Sequence, residues 1–143
     1  MRERGPIEGS DDQTTRMARI NLANDNNADY YIAIHADGVD NYTSSGSHVI
    51  YPNTNDSSLS ANCSELAKDI LSLYNIVAVE SESPKIDVRG LQVLSTTNKT
   101  DRKVLVELGF VTTPKDARKL YPNVSVISQQ LYNGLLTNIE KSF

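Results

Sequence analysis

The sequence is short of the residues that build disulfides and metal clusters, with one cysteine and two histidines among 143 residues. A single cysteine excludes an intrachain disulfide, and Cys63 recurs at helical spacing with Leu66 and Ile70, so we interpret it as a core residue. No run approaches the roughly 18 consecutive apolar residues of a membrane span. The net charge of −4, without a basic stripe, does not favour nucleic-acid binding. The polar N-terminus lacks an apolar segment, so no signal peptide is predicted.

Helical and strand patterns alternate along the chain, which predicts one α/β domain over residues 1–143. We expect a mixed, mostly parallel sheet with helices on both faces. The second helix should be capped by Ser57 or Ser58, and the third by Thr113 with Pro114 at its first position. The predicted helices are 12–24, 58–75, a short helix from 114, and 125–141; the predicted strands are 30–35, 48–52, 91–94 and 103–108.

Two polar residues lie near the ends of the two strongest strands. In "KVLVELGF", Val104 and Val106 share one face, and Glu107 falls on the other, where a carboxylate needs a partner or a metal. "YYIAIH" ends in His35. Because ligands bind beyond the carboxyl ends of strands in open α/β sheets, parallel neighbouring strands would bring His35 and Glu107 to one edge. A histidine that binds zinc beside a glutamate that accepts a proton suits hydrolysis. An ion pair for Glu107 and a structural role for His35 remain the simpler alternatives.

Several segments together resemble the zinc-dependent N-acetylmuramoyl-L-alanine amidases that cleave bacterial peptidoglycan. They are "TTRMARINLAND", "ADYYIAIHADG", "SGSHVIYPN", "SSLSANCSELAKDIL" and "LQVLSTTNKTDRKVLVELGF". The resemblance implies that His35 is a zinc ligand and that Glu107 is the catalytic glutamate. It also implies hydrolysis of the amide between N-acetylmuramic acid and L-alanine, with peptidoglycan as the partner. From the charge and the lack of a long apolar run we expect no nucleic-acid or membrane partner, and we expect a monomer. Arg89, beside a short predicted strand, could face the cleft and bind substrate, or serve a structural role.

The sequence departs from that family in its metal ligands. The family holds zinc with two histidines and one glutamate, and the segments that carry the first histidine and the glutamate have no counterpart here. We therefore expect an N-terminally truncated domain whose sheet lacks its first strand or strands and a helix. A replacement set of His35, His48 and either Asp37 or Glu107 is conceivable, but His48 is more simply an exposed or edge-strand residue.

Two other functions remain open. The chain could be a catalytically incomplete remnant or a wall-binding module without turnover. It could also be a two-carboxylate glycosidase using Glu107 with Glu80 or Glu82, although the run "ESES" is more simply a solvated surface. The resemblance implies an extracellular or wall-associated protein, or a phage lysin released from the cytoplasm.

Overall fold

A computed structural model describes residues 12–143, with side chains from residue 14 onwards. The predicted order of elements is confirmed in outline. The helices are α1 (Asp12–Asp25), α2 (Ser57–Leu73), α3 (Pro114–Leu120) and α4 (Val124–Ser142); the strands are β1 (Tyr30–Asp37), β2 (His48–Tyr51), β3 (Lys85–Ile86) and β4 (Arg102–Phe110). No helix among the described residues is both long and apolar enough to cross a membrane.

The four strands form one mixed sheet in the order β1-β4-β2-β3. β4 pairs with β1 in parallel and with β2 in antiparallel orientation, and β2 pairs with β3 in parallel. The mixed, mostly parallel sheet expected from the sequence is therefore present. β1, which carries His35, is an edge strand within residues 12–143 and has β4 as its hydrogen-bonded neighbour.

Helices cover both faces of the sheet, as the sequence predicts. Val104 and Val106 of β4 pack into a core built mainly by α2 and α4. Leu105, on the opposite face, packs with Ile20 of α1 and with Val93 and Leu94. The strand alternation of "KVLVEL" is thus confirmed, and Glu107 shares the face of Leu105 because side chains two positions apart point the same way.

Two local expectations were wrong. Residues 91–94 do not form a strand: Gln92–Leu94 is a single 3₁₀ turn whose apolar side chains fill the core between α1 and the sheet. The cap of α2 is neither Ser57 nor Ser58, because Asp56 accepts a hydrogen bond from the backbone N–H of Leu59 at 3.0 Å. Thr113 does precede α3, with Pro114 in the first turn.

Lys103 is buried on the same face of β4 as Leu105, with 2% of its surface exposed. Its Nζ donates hydrogen bonds to the backbone carbonyls of Ser95 and Asn98, so the ammonium group holds the turn before β4. Cys63 is buried beside it, as predicted, and Sγ accepts a hydrogen bond from the backbone N–H of Lys103 at 3.4 Å. Burial lowers the pKa of Lys103 and raises that of Cys63.

Gly134 lets α4 approach α2 closely, and replacing it should loosen this contact. A Cβ at this position would lie 2.7 Å from Cα of Ile70 and 3.2 Å from the carbonyl oxygen of Asp69. Overpacking of this kind costs about 1–3 kcal/mol, which exceeds the gain of up to about 1 kcal/mol in helix propensity. We therefore expect Gly134→Ala to lower the midpoint of urea unfolding followed by circular dichroism. The matched change Tyr132→Ala, on the exposed side of α4, should have little effect; equal midpoints would contradict the close approach.

Candidate active site

The carboxyl ends of β1 and β4 bring His35 and Glu107 together. The two residues are direct register partners in the parallel pair, so their side chains leave the same face of the sheet from adjacent strands. The pairing shifts after His35, and Asp37 comes to lie opposite Phe110. The sequence-based expectation that these two strands are parallel neighbours is confirmed.

Glu107 is buried, with 4% of its surface exposed, and its Oε2 has no hydrogen-bond partner among the described residues. The simpler alternative, an ion pair with a nearby cation, is not formed there: no salt bridge to Glu107 is present in residues 14–143. Burial is the largest cause that raises the pKa of Glu107 to about 7, followed by the negative charge of Asp37, while Arg89 acts in the opposite direction. A carboxyl group with this pKa both accepts and releases protons near neutral pH.

His35 lies at the wall of an open cleft of about 850 Å³. Arg16, Arg19, Tyr31, Gln92 and Leu105 also line this cleft. Partial desolvation and then the positive charge of Arg19 lower the pKa of His35, against the smaller opposing effect of Asp37. The imidazole is therefore neutral at pH 7, which is the form that binds a metal ion.

Arg89 lies near His35 and Glu107 in a short loop that hydrogen bonds to Asp87 hold in place. The carboxylate of Asp87 accepts hydrogen bonds from the backbone N–H groups of Arg89 at 2.9 Å and Leu91 at 2.7 Å. The charge of Arg89 lowers the pKa of both His35 and Glu107, which places its guanidinium within electrostatic reach of the pair. The exposed side chain of Arg89 is thus available to an anionic group beside the site.

His48 flanks Glu107 on the other side. It is the register partner of Glu107 in the antiparallel pair of β2 with β4. The expectation of an exposed or edge-strand residue is wrong, because β2 lies between β4 and β3, and 11% of the His48 side chain is exposed. Yet no group of three His, Cys, Asp or Glu side chains in residues 14–143 is arranged to hold a metal ion. The replacement set of His35, His48 and Asp37 or Glu107 is therefore not formed.

Residues 7–137 match the family described as N-acetylmuramoyl-L-alanine amidase. This match covers most of the 143 residues. The chain belongs to the N-acetylmuramoyl-L-alanine amidase family. A search of curated protein sequences gives no significant match.

Solved amidase structures share the fold of this family member at low identity. The chain superposes on the catalytic domain of CwlV, an amidase from Bacillus (Paenibacillus) polymyxa, with a TM-score of 0.68, 17% identity and coverage of 87% of this chain and 65% of that one. For the catalytic domain of the CD27L endolysin targeting Clostridia Difficile, the TM-score is 0.72 and the identity is 22%. That superposition covers 94% of this chain and 68% of the endolysin domain. For the CwlD amidase of Clostridioides difficile, solved with the GerS lipoprotein, the TM-score is 0.73 and the identity is 17%. That superposition covers 99% of this chain and 74% of the CwlD chain. The chain thus spans about two thirds of these domains.

Glu80, the alternative glycosidase carboxylate, is used differently in this amidase-family chain. Its two oxygens contact Nδ1 of His48 at 3.2 Å and Nζ of Lys85. Partial burial raises the pKa of Glu80, but the hydrogen bond from Lys85 and the imidazole of His48 outweigh this effect. The pKa of Glu80 is therefore lowered. A general acid of a glycosidase needs a raised pKa, so this environment does not favour the glycosidase interpretation.

Asp116 organises the loops around this amidase-like site and was missed by the sequence reasoning. Its buried carboxylate accepts hydrogen bonds from the hydroxyl of Ser45 at 2.6 Å and from the backbone N–H groups of Gly46 and Phe110, both at 3.0 Å. These bonds join the end of β4 to the loop that leads into β2. A carboxylate two residues after the Pro114 that begins α3 is an ordinary first-turn residue by sequence, so the pattern contains no signal for this role.

Proposed function

We propose that this chain hydrolyses the amide between N-acetylmuramic acid and L-alanine in peptidoglycan, with Glu107 as the proton acceptor. The observation that supports this most directly is the register pairing of His35 with a buried Glu107 that has an unpaired oxygen. Family membership supports this reaction class, and the register pairing supports His35 and Glu107 as the residues that act in it. Peptidoglycan is then the partner, and the cell wall is the place of action, reached by secretion or by release of a phage lysin.

A zinc ion fits this site only in part. His35 offers one neutral imidazole, and the unpaired Oε2 of Glu107 faces no protein donor in residues 14–143. Those residues contain no group of three ligands, and we propose His35 as one ligand of the ion. When bound, zinc would polarise the amide carbonyl and acidify a water molecule.

The residues present account for proton transfer and for orientation of the substrate. Glu107, with a pKa of about 7, would take the proton from the attacking water and return it to the nitrogen of the departing L-alanine. Arg89 would pair with a carboxylate of the stem peptide, because its side chain is exposed, its charge acts on Glu107, and Asp87 fixes its backbone. The cleft beside His35 offers room for the glycan or the peptide.

A second candidate is binding of the wall without turnover. It is favoured by one observation, the lack of three convergent metal ligands among residues 14–143. In this case the same surface would hold muramic acid and stem peptide, but no proton transfer would follow.

Zinc content and product analysis distinguish the two candidates. We expect the purified protein to hold close to one zinc ion per chain by atomic emission. We also expect it to release stem peptides with a free N-terminal alanine from purified peptidoglycan, and EDTA to stop this release. Sedimentation with insoluble peptidoglycan, without zinc and without new alanine amines, would instead establish the binding module and reject the amidase.

A further inference from the structure

A Glu80–His48 pair adjoins the proposed catalytic glutamate and has no role in the mechanism above. His48 and His35 are register partners of Glu107 on opposite sides, so three side chains stand in a row on one face of the sheet. Directly opposed residues on adjacent strands have Cβ atoms about 5 Å apart. A substrate amide placed against Glu107 would therefore lie within reach of the His48 ring.

Glu80 fixes the orientation of this ring. Nδ1 of His48 is 3.2 Å from Oε1 of Glu80, and Lys85 holds the other oxygen of the same carboxylate. A carboxylate paired with Lys85 only accepts hydrogen bonds, so Nδ1 of His48 carries the proton. Nε2 of the neutral ring is then an acceptor that points away from Glu80, and it has no hydrogen-bond partner among the described residues.

The backbone around Glu80 places it specifically against His48. Ser47 and Val79 form an isolated parallel bridge, in which Ser47 N–H donates to Ala78 at 3.0 Å and Glu80 N–H donates to Ser47 at 2.9 Å. Gly46 makes room for the side chain: with φ of +124°, it has a conformation that L residues rarely adopt, and a Cβ there would lie 2.5 Å from Cγ of Glu80. The pairing of Glu80 with His48 is thus built by the loop and is not a chance surface contact.

We propose that Nε2 of His48 accepts a hydrogen bond from a peptide N–H of the substrate, and that Glu80 is the positioning residue that turns Nε2 toward it. This inference rests on the proposed function, since it assigns a further substrate contact to the same site. The ligand group is an amide N–H of the muramoyl peptide. His48 thereby adds an acceptor on the side of Glu107 away from His35.

Kinetics of side-chain variants test the contact. His48→Ala should lower kcat/KM by about 3- to 10-fold, mainly through KM, as expected for the loss of one hydrogen bond. Gln can place an oxygen where Nε2 lies, whereas Asn reaches only the position of Nδ1, so His48→Gln should retain more activity than His48→Asn. Glu80→Ala should lower kcat/KM less than His48→Ala does. The double variant should have the same kcat/KM as His48→Ala alone, because Glu80 acts through His48. Lys141→Ala removes an ion pair with Asp69 between α4 and α2 and should leave kcat/KM unchanged.

Ring-nitrogen NMR provides a readout that does not depend on turnover. In the Glu107→Gln variant, addition of N-acetylmuramoyl-L-alanyl-D-isoglutamine should shift the Nε2 resonance of His48. Binding of this ligand without that shift, or wild-type kcat/KM in His48→Ala, would overturn the contact while leaving the amidase proposal intact. Failure of the ligand to bind, together with no amidase activity in the unaltered protein, would overturn both.

Discussion

Replacing Glu107 with Gln should lower the rate of amide hydrolysis by about 10²–10⁴-fold, the usual contribution of a general base. Gln has the same shape but cannot accept the proton, so the loss should appear in kcat with KM nearly unchanged. The side chain is buried and its Oε2 is unpaired among the described residues, so the change leaves no broken ion pair there. Release of free alanine amines from peptidoglycan measures the rate.

Glu65→Gln is the matched control for this change. Glu65 lies on α2 and is exposed, so the same chemical substitution there should leave the rate within about twofold of the unaltered protein. If the Glu107→Gln and Glu65→Gln proteins hydrolysed the amide at the same rate, Glu107 would not be the general base.

The same substitution should stabilise the metal-free protein at alkaline pH. The pKa of Glu107 is raised from 4.5 to about 7, mainly by burial and then by Asp37. Between these two pH values the folded state binds more protons than the unfolded state, so the free energy of unfolding falls as pH rises. The full shift corresponds to about 3 kcal/mol, lost by about pH 8. The Gln side chain cannot ionise. The free energy of unfolding of Glu107→Gln should therefore exceed that of the unaltered protein by about that amount at pH 8 and equal it near pH 4.

Urea unfolding in EDTA at several pH values measures this difference. Comparing the two proteins is essential because other groups titrate in nearby pH ranges. Their titration changes the free energy of unfolding in the direction opposite to that of Glu107. His35 and His48 have lowered pKa values, so their contribution to stability rises as pH increases toward 6.5. The lowered pKa of Asp116 likewise gives stability that is lost as pH falls below the ordinary carboxyl range. A difference between the proteins that stays constant from pH 4 to pH 8 would show that Glu107 is not forced toward its neutral form.

Much of the fold followed from local patterns in the sequence. The period-2 alternation in "KVLVEL" fixed which face of β4 each side chain takes, and a histidine at the end of "YYIAIH" placed His35 at the same edge. The stretch 91–94 was assigned wrongly because four apolar residues fit a strand and a buried 3₁₀ turn equally well. Only the packing of Val93 and Leu94 against Ile20 of α1 decides between the two.

The surroundings of Glu107 could not be predicted in the same way. His48 became its neighbour through the antiparallel pairing of β2 with β4, and strand order is a tertiary property that a short segment does not encode. The contacts of Glu80 with His48 and of Asp116 with Ser45 join residues 32 and 71 positions apart. Their carboxylates look like ordinary solvated charges until the loops are folded.

The enclosed position of Cys63 gives the protein a built-in chemical reporter of unfolding. It is the sole thiol of the sequence, it is 0% exposed, and burial keeps it in the unreactive protonated form. A thiol-specific reagent can therefore modify the chain only when the contact between α2 and β4 opens. The rate of this modification would follow opening of the strand that carries Glu107, without an added label or an engineered cysteine.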